Sequence, residues 1–146
     1  MFGTSLRILD EKNRIVIPPS FRENLGTEFY ISINLDQLLE IRNQAEFDAI
    51  IEKITKANSL NKNLRNFARY FLGNSVKVSI DKQGRFLIPK HLLDLAAIDK
   101  KLYLVGVGKK IEIWPQQKYE AFNTWFQNKD NIVELEEELI NSGVEL

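Results

Sequence analysis

The sequence predicts an α+β fold: a duplicated β-hairpin unit that builds one pseudo-twofold barrel, with helices at its periphery. The first observation behind that expectation is a repeat. Residues 10–18 read Asp-Glu-Lys-Asn-Arg-Ile-Val-Ile-Pro and residues 81–89 read Asp-Lys-Gln-Gly-Arg-Phe-Leu-Ile-Pro, so Asp10/Asp81, Arg14/Arg85, Ile17/Ile88 and Pro18/Pro89 coincide at an offset of 71. Self-similarity on that scale marks a duplicated structural unit. The second observation is the pattern around each copy, short alternating or β-branched runs of the kind that make half-buried strands. The third is size: 146 residues, 44% of them apolar, bury roughly two-thirds of their unfolded surface, enough for a proper core and too much for a disordered chain.

Each half opens with a strand, Ser5–Leu9 or Val76–Ile80. A tight turn follows, with Asn13 or Gly84 at its sharpest position; both residue types tolerate the positive φ that such a reversal demands. The next strand is Arg14–Ile17 or Arg85–Ile88. Pro18 and Pro89 end it, because proline has no amide hydrogen for a sheet ladder and suits the first turn of a helix. Short helices are therefore expected at Pro19–Leu25 and Lys90–Ala96. The echo continues, with Glu28-Phe29-Tyr30-Ile31-Ser32 like Lys101-Leu102-Tyr103-Leu104-Val105, and Leu39-Glu40-Ile41 like Ile111-Glu112-Ile113. Longer helices are expected at Gln44–Ala57 and Leu60–Leu72 in the first half, and at Pro115–Asn128 and Asp130–Asn141 in the second, with Pro115 at a helix N-terminus. A hairpin or two cannot bury both faces. Strands interleaved from two halves can close a small barrel and remove its exposed edges. Residues 1–129 are thus expected to be a single domain of two repeats (about 1–72 and 73–129), with 130–146 an acidic C-terminal helix or tail.

The chain has 20 Lys+Arg and 20 Asp+Glu, a formal net charge of zero, no cysteine and one histidine. Without cysteine there is no disulfide framework and no thiolate zinc site. No apolar run approaches the roughly 20 residues of a membrane span. Met1-Phe2-Gly3-Thr4-Ser5 does not read as a secretion signal, so a cytoplasmic protein with no membrane partner is expected. Neutrality conceals an uneven distribution. Residues 130–146 hold six acids (Asp130, Glu134, Glu136, Glu137, Glu138 and Glu145) and no base, which leaves 14 acids against 20 bases, a net of +6, in residues 1–129. A basic body with an acidic tail suits a polyanionic ligand without identifying it.

Aspartate and arginine four residues apart across a tight turn support two compatible roles. One is a clamp, in which the carboxylate accepts turn amides or pairs with the guanidinium. Asp10 and Asp81 are assigned mainly to it, with Asn13, Gly84, Pro18 and Pro89 shaping the hairpins. The other role faces a ligand. Arg14 and Arg85, backed by Lys12 and Lys82 and with Arg7 on the preceding strand, project towards phosphate or guanine, whose acceptors match the paired donors of a guanidinium. A β-ribbon can enter the major groove. Lys77 lies on the corresponding strand of the second half. Residues 53–69 carry Lys53, Lys56, Lys62, Arg65 and Arg69 with no acid. That stretch reads as a solvated helix face or a surface for subunit pairing with the acidic tail. Phe67, Tyr70 and Phe71 read as core packing, not as a platform for stacking bases.

Two rival classes are weaker. His91, beside Pro89 and opposite Ser20 of the first repeat, belongs to no triad pattern, so an enzyme working in a cleft around the Asp-x-x-x-Arg motifs has little support. A metal site with one histidine needs a carboxylate cluster that the spacing does not show, and neither a Gly-x-Gly-x-x-Gly nor a P-loop motif is present. No catalysis, cofactor or metal is expected. The second rival is a purely structural ring-forming protein that uses Leu102–Val105, Tyr119–Phe126 and Trp114 as an interface. Assembly and DNA binding do not compete, because a head-to-tail ring repeats the same hairpin in the same sense and should read direct repeats.

The tandem Asp-x-x-x-Arg-x-x-Ile-Pro motif, the opening Met-Phe-Gly, Val105-Gly106 and Ile111-Glu112-Ile113-Trp114 resemble the MraZ family of bacterial proteins over nearly the whole chain. Asn13 departs from the glycine usual at that turn, a change that left-handed backbone geometry permits. The resemblance implies a double swapped-hairpin barrel of the AbrB-like kind and an octameric, ring-shaped homo-oligomer. It also implies sequence-specific binding of double-stranded promoter DNA, regulation of the division and cell-wall gene cluster, and a place at the nucleoid.

Overall fold

The structure is a computed structural model that describes residues 1–57 and 59–146. In chain order its elements are β1 (Phe2–Ile8), β2 (Arg14–Val16), α1 (Pro19–Leu25), β3 (Glu28–Ile33), β4 (Leu39–Asn43), α2 (Gln44–Thr55), α3 (Lys62–Gly73), β5 (Val76–Ser79), β6 (Arg85–Leu87), α4 (Lys90–Leu95), β7 (Lys101–Val107), β8 (Ile111–Pro115), α5 (Gln116–Trp125) and α6 (Lys129–Asn141). β1 starts at Phe2, earlier than the alternation beginning at Ser5 implies, because β7 runs to Val107 and offers it a partner. Pro115 ends β8, so the helix that follows begins one residue later than expected.

Among the described residues, six strands form one antiparallel sheet in the order β1-β7-β8-β4-β3-β5, and β2 pairs with β6 in a second sheet of two strands. The large sheet is pseudo-symmetric, since β1, β7 and β8 correspond to β5, β3 and β4. Strands cross between the repeats. β1 pairs with β7 of the second repeat, from Phe2 opposite Val107 to Ile8 opposite Lys101, and β5 pairs with β3 of the first, from Glu28 opposite Ser79 to Ile31 opposite Val76. The pseudo-dyad passes through the β4–β8 pairing, where Glu40 stands opposite Glu112.

The expected closed barrel is not formed. β1 and β5 are edges of the large sheet, and the ribbon of β2 and β6 is separate from it. Each ribbon strand is three residues long, and Pro18 and Pro89 cannot extend a ladder. On the outer side of β2 the Val16 carbonyl accepts from Arg7 Nε (3.1 Å), so a side chain stands where a further strand would bond. Side chains join the ribbon to the sheet instead. Ile15, Ile17, Phe86 and Ile88 are buried in one cluster with Phe29, Ile31, Ile41, Leu104 and Ile113. Phe86 meets Phe29 edge to face, with ring centroids 5.1 Å apart. Such a pair contributes about 0.5–1.5 kcal/mol beyond its burial.

Met1–Pro115 form one compact unit and Gln116–Leu146 a second. In the first unit, α2 and α3 cover the sheet face opposite the ribbon. Phe47 stacks on Tyr30 at 4.0 Å, and Phe71 lies between Phe47 (6.5 Å) and Phe67 (5.8 Å), so the aromatics of α3 pack inwards. Asn43 and Asn61 cap these helices with side-chain oxygens on free amides. In the second unit, Phe126 packs edge to face with Phe122 (5.0 Å) and Trp125 (4.8 Å), yet no residue of α5 or α6 is buried. Among the described residues no helix is long and apolar enough to cross a membrane.

Candidate nucleic-acid interface

The two Asp-x-x-x-Arg turns have matching hydrogen bonds. Asp10 Oδ1 accepts from the amides of Lys12 and Arg14, and Oδ2 accepts from Arg14 Nε, all at 2.9 Å. Asp81 does the same with the amides of Gln83 and Arg85 and with Arg85 Nε, again at 2.9 Å. The Arg14 amide, with further help from the Arg14 guanidinium and the Lys12 amide, holds the Asp10 carboxyl below the usual carboxylate range; Arg85 and Gln83 do so for Asp81. Asn13 (φ 60°) and Gly84 (φ 75°) supply the left-handed residue of each turn. The motif spacing follows from this geometry. A carboxylate at the first position reaches the amides two and four residues on, and its second oxygen orients the arginine.

The fold brings both motifs together. Arg14 stands opposite Leu87 and Val16 opposite Arg85 in the ribbon. The Ile17 amide donates to the Gly84 carbonyl and the Ile88 amide to the Asn13 carbonyl, each at 2.9 Å, so each strand is tied to the turn of the other repeat. Ile15 and Phe86 point into the core. By strand alternation Arg14, Val16, Arg85 and Leu87 share the outer face, where Val16 and Leu87 are 46% and 48% exposed. The two arginines are diagonal neighbours, about 7–8 Å apart at the backbone in such pairing. The Nε of each guanidinium is held by its aspartate, which fixes the direction of the side chain, and Arg85 is held a second time, through Nη2, by Gln83.

The remaining cations expected at the site divide. Lys12 and Lys82 are exposed at the turn tips. They are not equivalent, because at the offset of 71 Lys12 matches Gln83 and Lys82 matches Glu11. Gln83 accepts from Arg85 Nη2. Arg7 is half-buried and donates to the carbonyls of Val16 and Leu6, which makes it a brace between β1 and β2. Lys77 pairs with Glu28 at 2.8 Å, away from the ribbon. Pro18 and Pro89 stand at the helix starts, where their carbonyls accept the first amides of α1 and α4.

Sequence reasoning missed Arg22. Its guanidinium lies over Gly84, where a Cβ would come within 3.1–3.2 Å of it. Arg22 is on α1 of the first repeat and the turn belongs to the second. The contact exists only because the repeats exchange strands, and no local signal reveals it. Its counterpart at the offset of 71 is Leu93, which is buried, so the two ends of the ribbon differ in charge.

A second polar centre lies at the pseudo-dyad. Glu40 is 2% exposed; it accepts from Arg42 Nη1 (2.8 Å), Asn34 Nδ2 (3.0 Å) and Lys110 Nζ. Burial pushes its carboxyl up, but the hydrogen bonds from Lys110 and Asn34 and the charges of Arg42 and Lys110 outweigh that and hold it below the usual range. Burial pushes Glu112 up, and the negative charges of Glu40 and Asp36 add to it, against a hydrogen bond from Trp114 Nε1 and the charge of Lys110. Among the described residues no cluster of three or more His, Cys, Asp or Glu is arranged to hold a metal ion.

Comparison with known proteins repeats the duplication. The sequence profile of the family described as "MraZ protein, putative antitoxin-like" matches twice, over residues 1–70 and 71–141. A protein of Mesomycoplasma hyopneumoniae (strain 7448) named "Transcriptional regulator MraZ" is 65% identical over 146 residues, covering all of both chains. Proteins of the same name from Mycoplasmopsis pulmonis (43% identical, 99% of this chain and 98% of that one) and Clostridium tetani (41%, 90% and 92%) are also similar.

Proposed function

The chain belongs to the MraZ family, and from that premise we propose that it is a transcriptional regulator that binds double-stranded promoter DNA by sequence and performs no chemistry on it. The observation that carries this reading is the pairing of both Asp-x-x-x-Arg turns in one ribbon whose outer face holds Arg14 and Arg85. A ribbon of this width suits the major groove, roughly 12 Å across, and the diagonal between the arginines is close to two base steps of about 3.4 Å. Held by Asp10 and Asp81, each guanidinium reaches a base edge or phosphate with little left to order on binding. Val16 and Leu87 lie between them and suit the thymine methyl group. Lys12, Lys82 and Arg22 neutralise phosphates beside the ribbon. Arg7 supports it from behind.

One ribbon contacts few bases, so affinity requires several linked copies. A ring-shaped homo-oligomer with head-to-tail contacts presents ribbons in one sense, and direct repeats upstream of the regulated genes are the matching ligand. The family supports the division and cell-wall gene cluster as the target, and a cytoplasmic location at the nucleoid.

The test is a mobility shift with the DNA upstream of the protein's own gene, damaging candidate direct repeats one at a time. Stepwise loss of binding with each damaged repeat supports the proposal. Binding that ignores the repeats, or no binding at low salt, contradicts it.

A further inference from the structure

Two surfaces of this chain complement each other, although neither covers the other's role in the site above. The first is a groove between the end of α2 and the side of α3. It has a volume of about 210 Å³ and is lined by Ile54, Leu64, Ala68 and Leu72, with Arg65 at its edge. Lys62, Arg65 and Arg69 run along one side of α3, three and then four residues apart, and residues 53–69 contain no acid. All three cations are exposed. Among the described residues, Arg65 and Arg69 hydrogen-bond to neutral oxygens, of Ser59 and Asn66.

The second surface is α6. Val133 and Ile140 are 54% and 73% exposed; seven residues apart, they lie on one face. Asp130, Glu134 and Glu137 form a row beside them, and residues 130–146 contain no base. Read from its C-terminal end, that row has the same three-then-four spacing as Lys62, Arg65 and Arg69. Reading from N to C, the charge row lies on the same side of the apolar row in both helices. That is the relation two antiparallel helices need for their charge rows to meet while their apolar rows face each other.

We infer that α6 of one copy docks antiparallel on α3 in the α2–α3 groove of a second copy, with Glu137 opposite Lys62, Glu134 opposite Arg65 and Asp130 opposite Arg69. In that register Val133 falls at the level of Leu64 and Ala68, and Ile140 at the other end of the groove, by Ile54 and the start of α3. The antiparallel arrangement also sets opposite helix dipoles side by side. Groove and helix are different surfaces of the same chain, so each copy donates one and receives another. Such a heterologous contact closes into a ring or continues as a filament. It thereby explains why an overall charge of zero is split into a +6 body and a tail with six acids. Ring closure rests on the self-assembly proposed above; the contact itself rests on the matched rows.

The test is the mass of the assembly in solution, by light scattering without DNA, so that its outcome is independent of the DNA-binding proposal. One variant carries Lys62→Glu and Arg65→Glu, and the other carries Glu134→Lys and Glu137→Lys. Alone, each opposes like charges and should associate at least about tenfold more weakly than the parent. Mixed in equal amounts, they should reassemble, because the acidic helix of the first meets the basic groove of the second and the basic helix of the second meets the acidic groove of the first. Parent-like mass for either variant alone, or failure of the mixture to assemble, overturns the inference. Where a reversal lowers the helical signal in circular dichroism, a salt titration of the parent decides. Dissociation as salt rises supports the contact, and a mass independent of salt, or a parent that is monomeric throughout, overturns it.

Discussion

Arg14 and Arg85 lie 71 residues apart in sequence and diagonally across a ribbon of three residue pairs, on the same outward face. Each is fixed by its own aspartate through Nε at 2.9 Å. One clamped arginine is a hairpin brace; two on one face present paired donors side by side, and the proposed DNA contact depends on that pairing.

The clamp has a pH signature. Asp10 and Asp81 are held below the usual carboxylate range in the folded chain. A depressed carboxyl contributes stability above its unfolded value, and that stability is lost as pH falls through the lower folded value. The ribbon should therefore loosen only below about pH 4. Replacing both residues by Asn should lower the unfolding midpoint at neutral pH and flatten its acid dependence. Thermal melts between neutral and acid pH check this; an unaltered acid slope contradicts the clamp.

The turns should respond differently to substitution. Gly84 has φ 75° and a Cβ there would meet Arg22 at 3.1 Å, so Gly84→Ala should cost about 1–2 kcal/mol from the left-handed backbone alone. Asn13→Gly keeps the turn and should change stability by less than about 0.5 kcal/mol. Denaturant titrations of the two variants measure the difference.

At the pseudo-dyad two chemically identical residues should behave in opposite ways. Glu40 is held below its usual range and Glu112 above it. Ionised Glu40 is thus a stabilising partner at neutral pH, and Glu40→Gln should destabilise, by about 1–3 kcal/mol for buried partners left unsatisfied. Ionising Glu112 costs stability as pH rises through its unfolded value towards the higher folded one, so Glu112→Gln should leave stability at neutral pH unchanged or raised. Paired denaturation curves decide it.

DNA binding should weaken steeply with salt, since each neutralised phosphate contributes a slope of roughly −0.9 to log K against log salt. Lys12→Ala and Arg22→Ala should each reduce the slope by about one unit without changing which repeats are preferred. Fluorescence anisotropy at several salt concentrations reads both quantities.

The turns, the strand ends and the repeat were legible because they depend on local chemistry: an aspartate that needs two amides, a glycine or asparagine that accepts positive φ, a proline that stops a ladder. The inward packing of Phe71 was legible from periodicity. What depends on the exchange between repeats was not. Nothing near Arg22 signals Gly84, and nothing near Glu40 signals that Glu112 and Lys110 meet it across the dyad. Closure of the barrel was expected from the general cost of free edges, yet strands of three residues followed by proline pair with each other and leave β1 and β5 unpaired on one side.

The most direct test of the central claim is the affinity of Arg14→Ala and Arg85→Ala for repeat-containing upstream DNA, measured at several salt concentrations beside the assembly mass of each variant. Each variant should lose about tenfold or more, corresponding to roughly 1–3 kcal/mol per specific contact, with unchanged mass. Affinity equal to that of the parent chain at every salt concentration would contradict it.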